Sequence, residues 1–104
     1  MNDDEKVFQL ITKLIYDTNS NKIYWSCEEN GNHWQYHASY ENKYELDFCS
    51  FHPKGTLYVL RLLENRNQLL EIQNLNSLSD LHDAIQEQTG CGKIDDAIDY
   101  ILNH

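Results

Sequence analysis

Residues 23–49, IYWSCEENGNHWQYHASYENKYELDFC, decide the fold, because apolar and polar residues alternate along them with a period of two. Ile23, Trp25 and Cys27 share one parity, and Trp34, Tyr36, Ala38 and Tyr40 share the other after Asn30-Gly31, the strongest short hairpin signal in the chain. A two-residue turn centred on Asn30-Gly31 predicts Cys27 opposite Trp34, Trp25 opposite Tyr36 and Ile23 opposite Ala38, with all six on one face. The next turn is settled by the same requirement. A loop of Glu41, Asn42 and Lys43 sets Tyr40 against Tyr44, Ala38 against Leu46 and Tyr36 against Phe48, whereas a turn at Glu41-Asn42 would put Glu45 opposite Ala38 and interrupt the apolar face.

Working outward, His52-Pro53-Lys54-Gly55 reads as a turn, followed by strands over 56–62 and 69–73 joined through Glu64 to Asn67. The first of these is apolar on both sides, with Tyr58, Leu60 and Leu62 on one and Leu57, Val59 and Leu63 on the other, which predicts an interior strand partly covered on both faces. Upstream, Val7, Leu10, Ile11, Leu14 and Ile15 mark one face of a helix over 3–16, capped by Asn2 or Asp3 and ended by the turn-forming run DTNSNK. Downstream, SLSDLHDAIQEQ (77–88) predicts a helix with Leu78, Leu81 and Ile85 on its buried stripe and Ser77 or Ser79 as cap. Gly90-Cys91-Gly92 breaks it, and KIDDAIDYILN starts another with Ile94, Ala97, Ile98 and Ile101 expected inward. The expected fold is a single α+β domain over 1–104: an N-terminal helix, a five-stranded antiparallel meander sheet and two short C-terminal helices.

Seventeen acidic side chains against eight basic ones give a formal charge of −9. The excess gathers at the end of the chain, where residues 72–104 carry Asp80, Asp83, Glu87, Asp95, Asp96 and Asp99 against Lys93 alone. Such a surface repels nucleic-acid phosphates and anionic lipid and suits a basic protein partner, so neither nucleic acid nor membrane is an expected ligand. No apolar run is long enough to span a bilayer, and the start MNDDEK lacks the basic and hydrophobic segments of a signal peptide, which predicts a cytoplasmic protein. The odd count of three cysteines predicts reduced thiols.

The cysteines and histidines between 27 and 52 raise the question of a metal centre. The hairpin register sends Cys27 to the core face and His33 and His37 to the other, and His33 and His37 stand roughly 13 Å apart by strand rise, too far to share an ion. Cys49 and His52 near them do not complete the four ligands of a structural zinc site, and a His37 to Asp47 hydrogen bond across the strands is expected instead. No metal or cofactor is therefore expected. Catalysis would have to run through Cys49, which has its histidines only diagonally placed, or through Cys91 ahead of a helix start. No phosphate-cradling glycine loop, paired-carboxylate motif or H-E-x-x-H pattern is present, so the chain is not expected to be an enzyme.

Residues 83–104, DAIQEQTGCGKIDDAIDYILNH, resemble the last two helices of a ubiquitin-associated domain, with Thr89-Gly90 between the helices and Ala97-Ile98 and Tyr100-Ile101-Leu102 at the positions where such domains pack. The Met-Gly-Phe/Tyr loop that carries ubiquitin binding in that family has no match, and LLEIQNLN reads as strand and turn rather than as its first helix, so no binding residue is carried over.

Two candidate surfaces follow. The first is the acidic outer face of the C-terminal helices, Asp80, Asp83, Glu87, Asp95, Asp96 and Asp99, which suits an immunity protein or inhibitor docking on a basic partner such as a nucleic-acid-processing toxin or defence enzyme. The alternative is a ligand- or metal-binding domain that uses the polar sheet face with Tyr24, His33, Gln35, His37, Asp47 and Cys49, a face that a helix or a homodimer mate would otherwise cover.

Overall fold

The computed structural model describes residues 3–30, 33–51, 57–73 and 75–103, excepting the side chains of Asp3, Asn30, Asp95, Asp96 and Asp99. Its order is α1 (Asp3–Asn19), β1 (Ser26–Asn30), β2 (His33–Tyr40), β3 (Tyr44–Phe51), β4 (Leu57–Glu64), β5 (Asn67–Gln73), α2 (Asn76–Thr89) and α3 (Lys93–Leu102). The strands form one antiparallel sheet in sequence order, the expected meander, so the architecture is α+β as read from the sequence. The turn expected over His52 to Gly55 lies outside the described residues.

Register follows the apolar alternation. Between β2 and β3 the pairs are Tyr40 with Tyr44, Ala38 with Leu46 and Tyr36 with Phe48, as the three-residue loop requires. Glu41 and Asn42 in that loop take positive φ of 53° and 60°, and Lys43 N–H closes it on the Tyr40 carbonyl at 3.1 Å. The first hairpin corrects the expectation. Cys27 pairs with Tyr36 rather than Trp34, and Asn30 pairs with His33. A slip of two residues keeps every side chain on its own face, so alternation cannot tell these registers apart. The β4–β5 hairpin is longer than expected. It turns at Asn65 and Arg66, both at positive φ (50° and 69°), and a bulge between Leu62 and Leu63 resets the pairing.

Helices α1 and α2 pack together and cover one side of the sheet. Ile11 and Leu14 of α1 and Leu78, Leu81 and Ile85 of α2 are buried against Tyr36, Leu46, Phe48, Leu60 and Ile72, each large side chain contributing roughly 1.5–3 kcal/mol by leaving water. His82 belongs to this core. Its ring stacks on Phe48 with centroids 5.8 Å apart and lies near Tyr58 and Tyr36 at 5.1 and 6.0 Å. Neither Ser77 nor Ser79 caps α2. Leu75 stands at the cap position in extended geometry with no side-chain cap bond, and both serines fall inside the helix.

Two expectations fail at the end of the chain. Cys27 and Cys91 are not free thiols but a disulfide, their Cα atoms 6.5 Å apart and their positions 64 residues apart in sequence. The reason is spatial: the Gly90-Cys91-Gly92 break returns the chain over the β1–β2 edge, where the Tyr36 hydroxyl donates to the Cys91 carbonyl at 3.1 Å. Gly92 sits at φ 79°, and a Cβ there would lie 3.2 Å from the Tyr36 hydroxyl, so the tight return requires glycine. Second, the α3 isoleucines do not point inward. Ile94, Ile98 and Ile101 are 74 %, 49 % and 72 % exposed, and Ala97 is exposed as well, because the core is already closed by α1 and α2.

Candidate functional site

The acidic surface begins on α2. Asp80, Asp83 and Glu87 are all exposed, at spacings of three and four that put them on one side of a helix. Glu87 accepts from Lys93 Nζ at 2.7 Å, a solvent-exposed pair that joins α2 to the first residue of α3 and occupies the lone lysine of this region. The side chains of Asp95, Asp96 and Asp99 lie outside the described residues, while their backbone belongs to α3. Past Lys93, the α3 residues Ile94, Ile98 and Ile101 are exposed, and so are Tyr100 and Leu102.

The strand residues of the polar sheet face share one side of the sheet, while Tyr24 lies ahead of β1 and Cys49 is buried. His33, Gln35 and His37 alternate with the core residues of β2, and Asp47, Cys49 and Phe51 do so in β3. His37 pairs with Asp47, and Nδ1 lies 2.6 Å from the carboxylate, which leaves Nε2 as the second hydrogen-bonding atom of the imidazole. The pair is partly solvated, so its net contribution to stability is small. Together with Tyr24, Trp25, Ser26, Ala38, Ser39 and Glu45 it lines an open cleft of about 410 Å³. Trp25, Ala38, Ser39 and Glu45 are lining residues that the sequence did not mark for this face, although the parity of Ser39 and Glu45 was available.

His33 does not join His37. Its ring stacks on Phe51 with centroids 4.8 Å apart. Further along the same face the Arg61 guanidinium donates to Glu71 at 2.8 Å and holds that carboxyl below the usual range. Among the described residues no three of His, Cys, Asp and Glu are grouped so as to hold a metal ion.

The two thiols considered for catalysis have different fates. Cys91 is committed to the disulfide. Cys49 is 4 % exposed in the middle of the sheet, and burial pushes its thiol pKa up against the opposing bond donated by Gln35 Nε2 at 3.7 Å. A thiol that is both hidden and reluctant to ionise is a poor nucleophile. Alkylation of the native protein by iodoacetamide near neutral pH should run at least ~10-fold slower than alkylation of the urea-unfolded chain; equal rates, followed by peptide mass mapping of Cys49, would contradict the burial described.

No described helix is long and apolar enough to cross a membrane. Neither a family model, nor a curated protein, nor a solved structure matches this chain.

Proposed function

We propose that the chain is a small acidic, non-enzymatic binding protein that docks on a basic protein partner through its C-terminal helices. The carrying observation is the row of Asp80, Asp83 and Glu87 along the exposed side of α2, next to a helix that adds Asp95, Asp96 and Asp99 in sequence while Lys93 is tied to Glu87. A formal charge of −9 steers such a surface toward positive potential and away from phosphates. The partner class that fits best is a nucleic-acid-processing toxin or defence enzyme, whose phosphate-binding active site is basic, and the chain would then act as its immunity protein or inhibitor. A cytoplasmic location is part of this proposal; there the Cys27–Cys91 bridge would face reducing conditions and act as a reversible link.

The test is retention of host proteins on the immobilised chain at low and at physiological salt, repeated with the double variant Asp80→Lys, Asp83→Lys. A basic protein should be held, more weakly as salt rises, and the double variant should weaken it roughly three- to tenfold, since rim charges act on association more than on packing. Failure to hold any basic protein at either salt overturns the proposal.

A further inference from the structure

We infer that α3 is a presented docking helix: its Ile94–Ile98–Ile101 stripe inserts into an apolar groove on the partner, and the rim of that groove is basic. Resting on the binding function proposed above, the inference adds the shape and chemistry of the partner's site. The spacings of four and three place the isoleucines on one stripe of the helix, and all three side chains are about half or more exposed while α1 and α2 close the core without them. An apolar stripe at i, i+4, i+7 is the pattern that a groove-binding helix presents to its receptor.

The base of this helix is held by packing that outlasts reduction of the bridge: Gly92 is buried against Tyr36 and Trp34, and the Tyr36 hydroxyl donates to the Cys91 carbonyl. The Cys27–Cys91 bond adds to this hold when oxidised, and Lys93 makes a solvent-exposed pair with Glu87. A helix held at its base loses less freedom on docking than a loose tail, which lowers the cost of binding. Charge selects the occupant. A second copy docking here would bring together two bodies of formal charge −9 whose α3 sequences each carry Asp95, Asp96 and Asp99 against Lys93 alone, and that repulsion opposes self-association through this helix. An anionic membrane meets the same repulsion. An apolar groove rimmed by lysine or arginine instead takes up the stripe while attracting a helix and a body of this sign.

The experiment has two stages. Full-length protein carrying a photoreactive benzoylphenylalanine in place of Leu102, exposed beside the stripe, is irradiated in its native host to identify the neighbour. The purified neighbour is then titrated with wild type, Ile98→Asp, Ile101→Asp and the Asp80→Lys, Asp83→Lys pair, while light scattering gives the mass of each chain alone. The expected result is a basic neighbour, at least tenfold weaker binding by each isoleucine variant with unchanged circular dichroism and melting, and a reduced salt dependence for the lysine pair. Wild-type affinity in both isoleucine variants overturns the inference; a loss confined to the lysine pair then leaves the acidic-face function standing, and no loss in any variant removes both. A wild-type dimer that Ile98→Asp converts to monomer, or a cross-linked neighbour that is not basic, also overturns it.

Discussion

Reducing the Cys27–Cys91 disulfide is expected to lower the unfolding free energy by about 2–4 kcal/mol without changing the fold. The bond closes a loop spanning 64 positions, from the edge strand β1 through the rest of the sheet and α2. In the chain-entropy account a cross-link of that length restricts the unfolded ensemble by about 4 kcal/mol, and measured values fall at or below that figure. The native side has little to lose, because the Tyr36 hydroxyl still holds the Cys91 carbonyl and Gly92 still fits against Tyr36 and Trp34. Urea denaturation with and without a phosphine reductant should show a lower midpoint and a steeper slope on reduction, since the opened chain exposes more surface when it unfolds. The melting temperature should fall by roughly 10 °C or more, given about 4–8 °C per kcal/mol for domains near this size. The double variant Cys27→Ser, Cys91→Ser should match the reduced protein and ignore the reductant. Identical midpoints under both conditions would mean that the bond contributes nothing.

How far the sequence announces this molecule depends on what kind of signal each feature leaves. The meander is written in the alternation of 23–49, since burying Tyr36, Leu46 and Phe48 on one face demands a particular parity in each strand, and the Glu41–Lys43 loop follows from keeping that face continuous. Parity is blind to a slip of two, which is why Cys27 meets Tyr36 and not Trp34. The polar face was legible for the same reason, down to the His37–Asp47 pair.

Features that depend on the packing of distant elements leave no such mark. The periodicity of 94–101 reveals an apolar stripe on α3 but not what covers it, and Ile94 and Ile101 stay in solvent because Leu78, Leu81 and Ile85 have already filled the core. An odd cysteine count rules out complete pairing, yet it is silent on one bond between residues 64 apart with Cys49 left over. The acidic row on α2 needed only helical spacing to be seen, and the sequence composition carries its sign.

Gln88 makes the second large effect, and nothing local in the sequence singles it out from the chain's other glutamines. From the last turn of α2 its amide reaches the connection between α1 and β1. Nε2 donates to the Ile23 carbonyl at 2.6 Å and to the Thr18 carbonyl at 3.2 Å, while Oε1 accepts from Trp25 N–H at 2.8 Å. The groups it satisfies lie beside the buried Ile23, Trp25 and Thr18, and the Thr18 hydroxyl in turn accepts from the Trp25 indole at 3.0 Å and donates to the Leu14 carbonyl at 2.7 Å. One side chain thus fastens the end of α1 and the approach to β1 onto α2. Truncation by Gln88→Ala leaves a partly buried donor and two acceptors to find other partners, and should cost about 1–3 kcal/mol, the range for bonds left unmade away from bulk water. Gln88→Glu is the sharper variant. It keeps an acceptor for Trp25 N–H but turns a carboxylate oxygen toward two carbonyls, so near neutral pH it should be at least as destabilising as the alanine. The folded state disfavours the ionised form of the introduced carboxyl, raising its pKa relative to the unfolded chain. Its deficit should therefore shrink as the solution is acidified, when a carboxyl proton can take the place of the lost amide donor. Denaturant midpoints across pH for wild type and both variants give the comparison. An alanine variant within about 0.5 kcal/mol of wild type would place Gln88 among ordinary surface side chains, and a Gln88→Glu deficit that grows in acid would show that the donor side of this clamp carries no weight.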